Sequence, residues 1–410
     1  MRTVVEHRGA ALALVRPLAA ETVAIDAADG RVLAEDVHAP SALPRWDNSA
    51  MDGYAVRAAD VAAATPDAPV TLRVLADLPA GSAAEPTVAP GTAARIMTGA
   101  PVPPGADAIV PVEATDGGTA TVRVDVAPQP GAYLRRAGED VAAGDVVLTA
   151  GTMLGPAQVA AAASVGRAEL SVHRRPRVAV LSTGSELVPP GAPLRRGQIP
   201  DSNSYGLAAA VRAAGGDAVR IGAVPDDAAA LGAVLERWDA PDAPDRVDLV
   251  VTSGGVSMGA YDVVKELLAA HAGMEFVAVA MQPGKPQGIG RLPGGTPVLA
   301  LPGNPVSALV SFQVFVRPVL QRLRGLADVA APPEHAVVTD GWRTPPGREQ
   351  YMPVTLDAGP DGLLARRAVA GGSGSHLVAG LARAEAFAVV AADVDEVRAG
   401  DRVPVMRLDR

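Results

Sequence analysis

The stretch VDLVVTSGGVSMGAYDVVKE, residues 247–266, indicates the fold more strongly than any other part of the chain. Apolar and β-branched residues at 249–252 predict a buried strand, and a helical pattern begins at Tyr261, with Asp262 at the start of the helix. The turn between them is rich in glycine and hydroxyl groups and contains Ser253, Gly254, Gly255 and Ser257. A buried strand that runs through such a turn into a helix is typical of an α/β unit.

Strand and helix patterns alternate in the same way from about residue 175 to residue 325. The predicted strands lie in RVAVLSTGSEL, AVRIGAV, VDLVVTSGG, FVAVAMQPG and PVLALPGN. The predicted helices lie in YGLAAAVRAAGG, DAAALGAVLERW and YDVVKELLAAHA. This alternation predicts an α/β domain with a doubly wound, mostly parallel sheet, which we place at residues 173–327.

The rest of the sequence predicts further units around this α/β domain. Short alternating runs such as VTLRVLA and TATVRVDV, separated by Pro- and Gly-rich turns, predict an inserted β domain at residues 51–140. Residues 328–410 return to short strands and turns and predict a C-terminal, β-barrel-like domain. A helix near the N-terminus and the helical segment GPAQVAAAASVG are expected to pack together as a discontinuous linking domain, residues 1–50 and 141–172.

The length and composition indicate a multi-domain globular protein. At ~150 residues per domain, 410 residues correspond to about three domains or more. The 49% hydrophobic content is sufficient for apolar cores, and the net charge of -9 disfavours nucleic acid and anionic membranes as partners. The chain has no cysteine, which excludes disulfides, thiolate metal sites and cysteine nucleophiles.

No targeting segment and no membrane span are predicted. Glu6, Arg8 and Arg16 interrupt the apolar N-terminal stretch, and glycine and proline break the two long uncharged segments at 146–166 and 296–316. We therefore expect a cytoplasmic protein.

Arginine greatly outnumbers lysine among the basic residues. Of 36 basic residues only Lys265 and Lys285 are lysine. Because an ammonium is compact and a guanidinium is planar, the two side chains suit different ligands. Either these two lysines persisted by chance, or their positions need a compact cation.

Four loops follow predicted strands of the α/β domain. They are STGSE (182–186), TSGGVSMG (252–259), QPGKPQG (282–288) and LPGNPVS (301–307). Ligands bind open α/β sheets at the carboxyl ends of the strands, so we expect these loops to form one site. Serine hydroxyls and glycine N–H groups near a helix N-terminus suit a phosphate group.

Three carboxylates, Glu186, Asp201 and Asp262, lie in or beside these loops. Acids next to a phosphate pocket repel the ligand unless a cation lies between them, and Mg2+ prefers oxygen ligands and substrate phosphates. The three residues are therefore predicted as Mg2+ ligands. For Asp201 and Asp262 the alternative is a helix cap.

The ordered motifs SAMDGYAV, MTGAPVP, AGEDV, LSTGSEL, SGGVSMGAYD, PGKP, LPGNPVSA and GSHL cover essentially the whole chain. In this order and spacing they resemble the molybdopterin molybdotransferase family, the MoeA-type proteins, related to the gephyrin E domain. The resemblance implies a molybdopterin-binding fold in a four-domain homodimer. It also implies a site between the α/β domain of one subunit and the inserted β domain of the other. The implied reaction is Mg2+-dependent insertion of molybdate into adenylylated molybdopterin, which releases AMP and molybdenum cofactor.

The resemblance also implies roles for individual residues. Asp52, Glu186 and Asp262 are expected to be catalytic. The residues expected to bind substrate are Thr98, Asp140, Thr183, Gly184, Asp201, Ser253, Gly254, Gly255, Ser257, Lys285, Pro302, Pro305, Ser307, Arg348 and Ser375. Of these, Lys285, Ser307, Ser375 and Arg348 are expected around molybdate. The other implied partners are proteins of molybdenum-cofactor biosynthesis.

Two positions depart from the family pattern. Family members often read KPGKP where this chain has Gln282, and many carry a basic residue near Pro353. Lys285 therefore lacks the second ammonium that is usual in this loop.

Two other functions compete with the transferase. Molybdopterin adenylyltransferases share the α/β fold and a similar TSGG loop, but the additional domains and SAMDGYAV argue against this alternative. A non-catalytic dimeric scaffold of the gephyrin E type is disfavoured by the retained acids Asp52, Glu186 and Asp262. Sequence alone leaves molybdate and tungstate as alternative substrates.

Overall fold

The computed structural model describes residues 1–224, 228–240, 242–256, 267–268, 273–326, 334–360, 362–369, 374 and 378–408. Its α-helices are α1 (Val4–Ala13), α2 (Pro156–Ser164), α3 (Asn203–Ala213), α4 (Ala228–Asp239), α5 (Pro305–Ser311), α6 (Arg317–Leu323) and α7 (Val378–Leu381). A π-helical segment, Phe312–Val316, joins α5 to α6. None of the helices described has both the length and the apolar character needed to cross a bilayer. The helix predicted from Tyr261 lies almost entirely outside the described residues.

The strands fall into three groups along the chain. The first comprises β1 (Ala20–Ala24), β2 (Val37–His38), β3 (Asn48–Ser49), β4 (Gly53–Val56), β5 (Val70–Leu78), β6 (Thr92–Ile96), β7 (Ala108–Pro111), β8 (Thr121–Val124), β9 (Leu134–Arg135), β10 (Val146–Leu148) and β11 (Glu169–His173). The second comprises β12 (Arg177–Thr183), β13 (Leu187–Val188), β14 (Ile199–Pro200), β15 (Asp217–Val224), β16 (Leu249–Ser253), β17 (Glu275–Ala278), β18 (Met281–Gln282), β19 (Pro286–Arg291) and β20 (Pro297–Leu301). The third comprises β21 (Glu334–Val338), β22 (Trp342–Arg343), β23 (Glu349–Gly359), β24 (Gly362–Arg367), β25 (Ala386–Val390), β26 (Glu396–Val397) and β27 (Arg402–Arg407).

The segment predicted as an inserted β domain forms a five-stranded sheet in the order β7-β4-β6-β5-β8. Alternate residues of its strands face two separate apolar cores, so that Tyr54 lies in one and Ala55 in the other. Gly53 begins strand β4, which lies between β7 and β6, and a Cβ at this position would lie 2.0 Å from the carbonyl oxygen of Val110 on β7. The sheet therefore requires glycine directly after Asp52.

The two N-terminal helical segments contribute to different cores. α2 packs in a small cluster around Leu33, Leu154 and Val172, next to the antiparallel pair β1–β11. α1 instead places Val4 and Ala11 in the large core that also contains α6. The expected packing of α1 against α2 is therefore wrong. The physical reason lies just before α1, where the backbone of Arg2 bonds to Ala278 and Ala280 of the α/β region at 2.9 and 2.8 Å.

The α/β region contains a six-stranded sheet in the order β15-β12-β16-β20-β19-β17. The first four strands are parallel, and β19 runs antiparallel to both of its neighbours. One face packs against α3, α5 and α6, and the other packs against α4. The predicted doubly wound, mostly parallel sheet is confirmed.

The C-terminal strands close into a five-stranded barrel, in the order β23-β24-β21-β27-β25 and back to β23. This closure confirms the barrel-like fold expected from the sequence. Pro353 lies within β23, opposite Phe387 of β25. The short strand β18 of the α/β region pairs with the start of β23, so that Met281 lies opposite Glu349.

Candidate active site

A cleft of about 770 Å³ lies at the carboxyl ends of the parallel strands β12, β16 and β20. Arg348 and Gly374, from the C-terminal region, complete its wall. The cleft brings together the predicted residues Thr183, Glu186, Asp201, Ser253, Gly254, Gly255, Lys285, Pro302, Pro305, Ser307 and Arg348. Gly184 lies next to this lining, and a Cβ there would lie 2.5 Å from a carboxylate oxygen of Glu186. The four loops identified in the sequence therefore share one cleft.

The turn after β16 depends on two consecutive glycines. Gly254 and Gly255 have φ values of 95° and 77°, in the left-handed region that favours glycine. A Cβ on Gly254 would lie 2.7 Å from the carbonyl oxygen of Thr183, on the neighbouring strand β12. The turn therefore presents main chain, rather than side chains, to this part of the cleft.

The hydroxyl of Ser253 is engaged within the protein. Ser253 is 1% exposed; its Oγ accepts a hydrogen bond from Asn203 Nδ2 at 2.7 Å and donates to the carbonyl oxygen of Pro302 at 3.2 Å. The same Asn203 amide donates to the carbonyl oxygen of Gly303 at 2.7 Å. Asn203 thus joins the loops after β16 and β20, and the sequence reasoning missed it because an asparagine at a helix start reads first as a cap.

The carboxylate of Asp201 is buried and bonded to the start of α3. Asp201 is 1% exposed, and it accepts hydrogen bonds from the main-chain N–H of Ser204, at 3.1 Å, and from the Ser204 hydroxyl. These are the contacts of the helix-cap alternative. Glu186, in contrast, is exposed at the cleft. Over the part of the chain described, no cluster of three or more acidic or histidine side chains is arranged to hold a metal ion.

Two cations line the cleft from different elements. Lys285 is exposed, and its carbonyl oxygen accepts a hydrogen bond from Val279 N at 2.8 Å. Arg348 immediately precedes β23, whose first residue, Glu349, donates its N–H to the carbonyl oxygen of Ala280 at 2.9 Å. Ser307, 3% exposed, lies in the first turn of α5. An anion in the cleft would therefore meet two positive charges, from loops whose main chains bond to the adjacent residues Val279 and Ala280.

Asp52 and Thr98 form a pair on the inserted β sheet. Asp52 Oδ1 accepts hydrogen bonds from the main-chain N–H and the hydroxyl of Thr98, both at 2.7 Å. These bonds lower the pKa of Asp52 below its ordinary value. Both residues are exposed, as is Asp140, and none of the three lines the cleft of its own chain.

Three predicted residues, Ser257, Asp262 and Ser375, lie outside the described residues. Lys265, the other lysine, also lies outside them.

Three family profiles match successive parts of the chain. The MoeA N-terminal region (domain I and II) matches residues 2–166, and a probable molybdopterin binding domain matches residues 179–322. The MoeA C-terminal region (domain IV) matches residues 335–408.

Individual proteins are similar over the whole length. The molybdopterin molybdenumtransferase 2 of Mycobacterium tuberculosis is 50% identical over 414 residues and is covered in full, as is this chain. The molybdopterin molybdenumtransferase of Nostoc sp. is 40% identical over 394 residues, which cover 95% of this chain and 88% of the relative. The crystal structure of the molybdopterin biosynthesis moeA protein of Pyrococcus horikoshii OT3 matches with a TM-score of 0.84 at 28% identity, covering 99% of this chain and 100% of the other. The chain therefore belongs to the molybdopterin molybdenumtransferase, or MoeA, family.

Proposed function

We propose that this protein inserts molybdate into adenylylated molybdopterin, releasing AMP and molybdenum cofactor. The observation that carries this proposal is the cleft, in which the loops after β12, β16, β18 and β20 bring a glycine turn, Glu186 and Lys285 together with Arg348 from the C-terminal region. Relatives named for molybdopterin and molybdenum transfer support the choice of substrates.

The cleft residues form two groups, one that offers main-chain groups and one that offers positively charged side chains. The main chain of Gly254 and Gly255 suits the pyrophosphate of the adenylylated pterin, because glycine lets a phosphate approach the backbone closely. The tetrahedral molybdate anion suits the second group, which consists of Lys285, Arg348 and the hydroxyl of Ser307. Lys285 and Arg348 each carry a positive charge that attracts the anion. Thr183, Pro302 and Pro305 also line the cleft.

We assign a Mg2+ requirement to the same cleft. Glu186 is exposed there and offers the oxygen ligands that Mg2+ prefers. Asp201 is bonded to Ser204, so in this proposal it holds the start of α3 and lends its negative charge to the site. The bound ion would neutralise phosphate charge. Asp262 is proposed as a further ligand on the basis of the sequence.

The site is completed across a homodimer in this proposal. Asp52 and Thr98 form an exposed pair that lies away from the cleft of their own chain. A second copy that brings this pair to the cleft would add the acid expected for catalysis. Closed twofold assemblies are the commonest arrangement for identical chains.

The direct test is AMP release from adenylylated molybdopterin by the purified protein. We expect release to require molybdate and to fall when Mg2+ is removed, and Glu186→Gln to raise the Mg2+ concentration needed. Release of AMP that is independent of molybdate would contradict the transferase. Consumption of ATP with molybdopterin would instead identify an adenylyltransferase, and the absence of both activities would indicate a scaffold.

A further inference from the structure

The side chain of Gln287 is buried directly behind the loop that carries Lys285. Gln287 is 1% exposed, and its Nε2 donates hydrogen bonds to the carbonyl oxygen of Gly284 and to Oγ of Ser311, both at 2.7 Å. Gly284 immediately precedes Lys285, and Ser311 is the last residue of α5. One amide group thus ties the loop to the helix that carries Ser307.

The conformation of Gly284 leaves the loop little freedom to rearrange. Its φ is 107°, and a Cβ there would lie 3.0 Å from Ser311 Oγ. On the other side of the loop, the carbonyl oxygen of Lys285 accepts the N–H of Val279 at 2.8 Å. The main chain is therefore held by hydrogen bonds at both Gly284 and Lys285.

The side chain of Lys285, in contrast, is not held by any residue that the structure describes. It is exposed at the cleft, and the described part of the protein offers it no hydrogen bond or ion pair. The flexible lysine side chain loses conformational entropy when its ammonium binds an anion. If the main chain is already fixed, binding does not have to order the main chain as well. The accuracy with which Lys285 reaches an anion therefore depends on what fixes its Cα.

We infer that Gln287 is a positioning residue, which sets the place of Lys285 and thereby the affinity of the cleft for the tetrahedral oxyanion. The inference rests on the proposed role of Lys285 in binding molybdate. Gln287 lies behind the loop and makes its contacts with Gly284 and Ser311, so it acts through Lys285 rather than on the substrate.

The test compares Gln287→Met, which keeps the length of the side chain and removes both hydrogen bonds, with the parent protein. We expect the molybdate concentration for half-maximal AMP release to rise roughly fivefold to tenfold, as the loss of one or two hydrogen bonds predicts. Direct binding of adenylylated molybdopterin should stay within about twofold of the parent. If Gln287→Met does not fold, Ser311→Ala removes one of the two partners and should change the same quantity in the same direction.

The matched control is Gln158→Met. The Gln158 side chain also bonds to the main chain, as an acceptor from Gly155 N at 3.2 Å, but it lies on α2, away from the cleft. This variant should leave the molybdate titration unchanged, which separates positioning from a general loss of stability.

A double variant of Gln287→Met and Lys285→Ala, compared with the single variants, distinguishes failure of the positioning role from failure of the proposed role of Lys285. If positioning is correct, Lys285→Ala raises the molybdate requirement and Gln287→Met adds nothing further in that background. An additional rise in the double variant would overturn positioning through Lys285. If Lys285→Ala acts but Gln287→Met and Ser311→Ala do not, the positioning role is wrong while the proposed function stands. If Lys285→Ala leaves the titration unchanged, the proposed role of Lys285 fails, and the inference fails with it.

Discussion

Lys285 is exposed at the cleft in a chain where 36 basic residues include only two lysines. We expect Lys285→Arg to raise the molybdate concentration for half-maximal AMP release by roughly tenfold, because a planar guanidinium cannot replace a compact ammonium as a point charge. Affinity for adenylylated molybdopterin should remain nearly unchanged. The measurements are a molybdate titration and direct binding of the pterin.

Two results would contradict this prediction in different ways. If the arginine variant titrates like the parent, any cation suffices at position 285. If the variant loses pterin binding instead, Lys285 belongs to the phosphate part of the cleft, and the oxyanion site lies elsewhere.

His7 gives a prediction about pH. Its ring is 1% exposed on α1 and makes an edge-to-face contact with Phe315, with ring centroids 4.6 Å apart. Burial, and secondarily the positive charge of Arg2, lowers its pKa from 6.5 to about 4, while Glu275 acts in the opposite direction. The unfolded chain therefore binds a proton more readily than the folded chain between these two values.

Stability should accordingly fall as the pH drops from about 6.5 to about 4. The contribution of His7 amounts to at most about 3 kcal/mol in the free energy of unfolding. His7→Phe keeps an aromatic ring and cannot be protonated, so its stability should depend less on pH in this range. Denaturant unfolding at several pH values measures the difference. Parallel curves for the parent and the variant would show that His7 does not cause the loss.

The residue types at the site were predictable, but several of their contacts were not. The glycine turn at 253–255 has a local signature, because left-handed conformations favour glycine. The engagement of Ser253 by Asn203 depends on residues 50 positions apart in the chain. Gln287 gave no signal, because its partner Ser311 becomes a neighbour only after folding.

At the scale of elements, Asn203 connects the start of α3 to the ends of β16 and β20. We expect Asn203→Ala to weaken binding of adenylylated molybdopterin and to lower stability by about 1–2 kcal/mol, because two hydrogen bonds are lost. Pterin binding and thermal unfolding are the measurements. The control Asn48→Ala removes an asparagine contact to the carbonyl oxygen of Trp46, beside the two-stranded pair β3–β9, and should leave pterin binding by the cleft unchanged. Equal losses of binding in the two variants would contradict a local role.

The helix α1 shows what a sequence pattern leaves open. Its start is predictable, because Thr3 and Glu6 form a reciprocal capping box. Its buried residues, Val4, His7 and Ala11, recur at helical spacing, which reveals an apolar face but not the surface that covers it. The pairing of Arg2 with the α/β region decides the partner, and this contact spans more than 270 residues.

For the whole molecule, the proposed shared site gives a complementation test. Asp52→Ala should inactivate the homodimer, and Lys285→Ala should leave it inactive at a molybdate concentration that suffices for the parent. In a mixed dimer, one site contains both substitutions and the other contains neither, so activity should return to one of the two sites. AMP release by mixed dimers, purified with two different affinity tags, measures this recovery. Mixed dimers that form but remain inactive would contradict the shared site.

The order of the large units was predictable from the changes in hydrophobic period along the chain. The closure of the C-terminal barrel was harder to predict from the sequence than the presence of short strands. Closure depends on the pairing of β23 with β25, and tertiary packing sets the register of this pair. The reversed strand β19 was missed, since its residues Gly288 and Gly290 weaken the strand signal.

The pairing of β18 with β23 has a consequence for protein engineering. Met281 and Gln282 belong to the α/β region by chain connectivity, but they hydrogen-bond to the barrel opposite Glu349 and Gln350. A chimera that takes its barrel from a relative must therefore reproduce the backbone of β23 as well as the sequence of the junction. The barrel therefore cannot be exchanged as an independent domain. Grafts that transfer residues 281–282 together with the barrel should preserve the cleft better than grafts that transfer only the C-terminal strands.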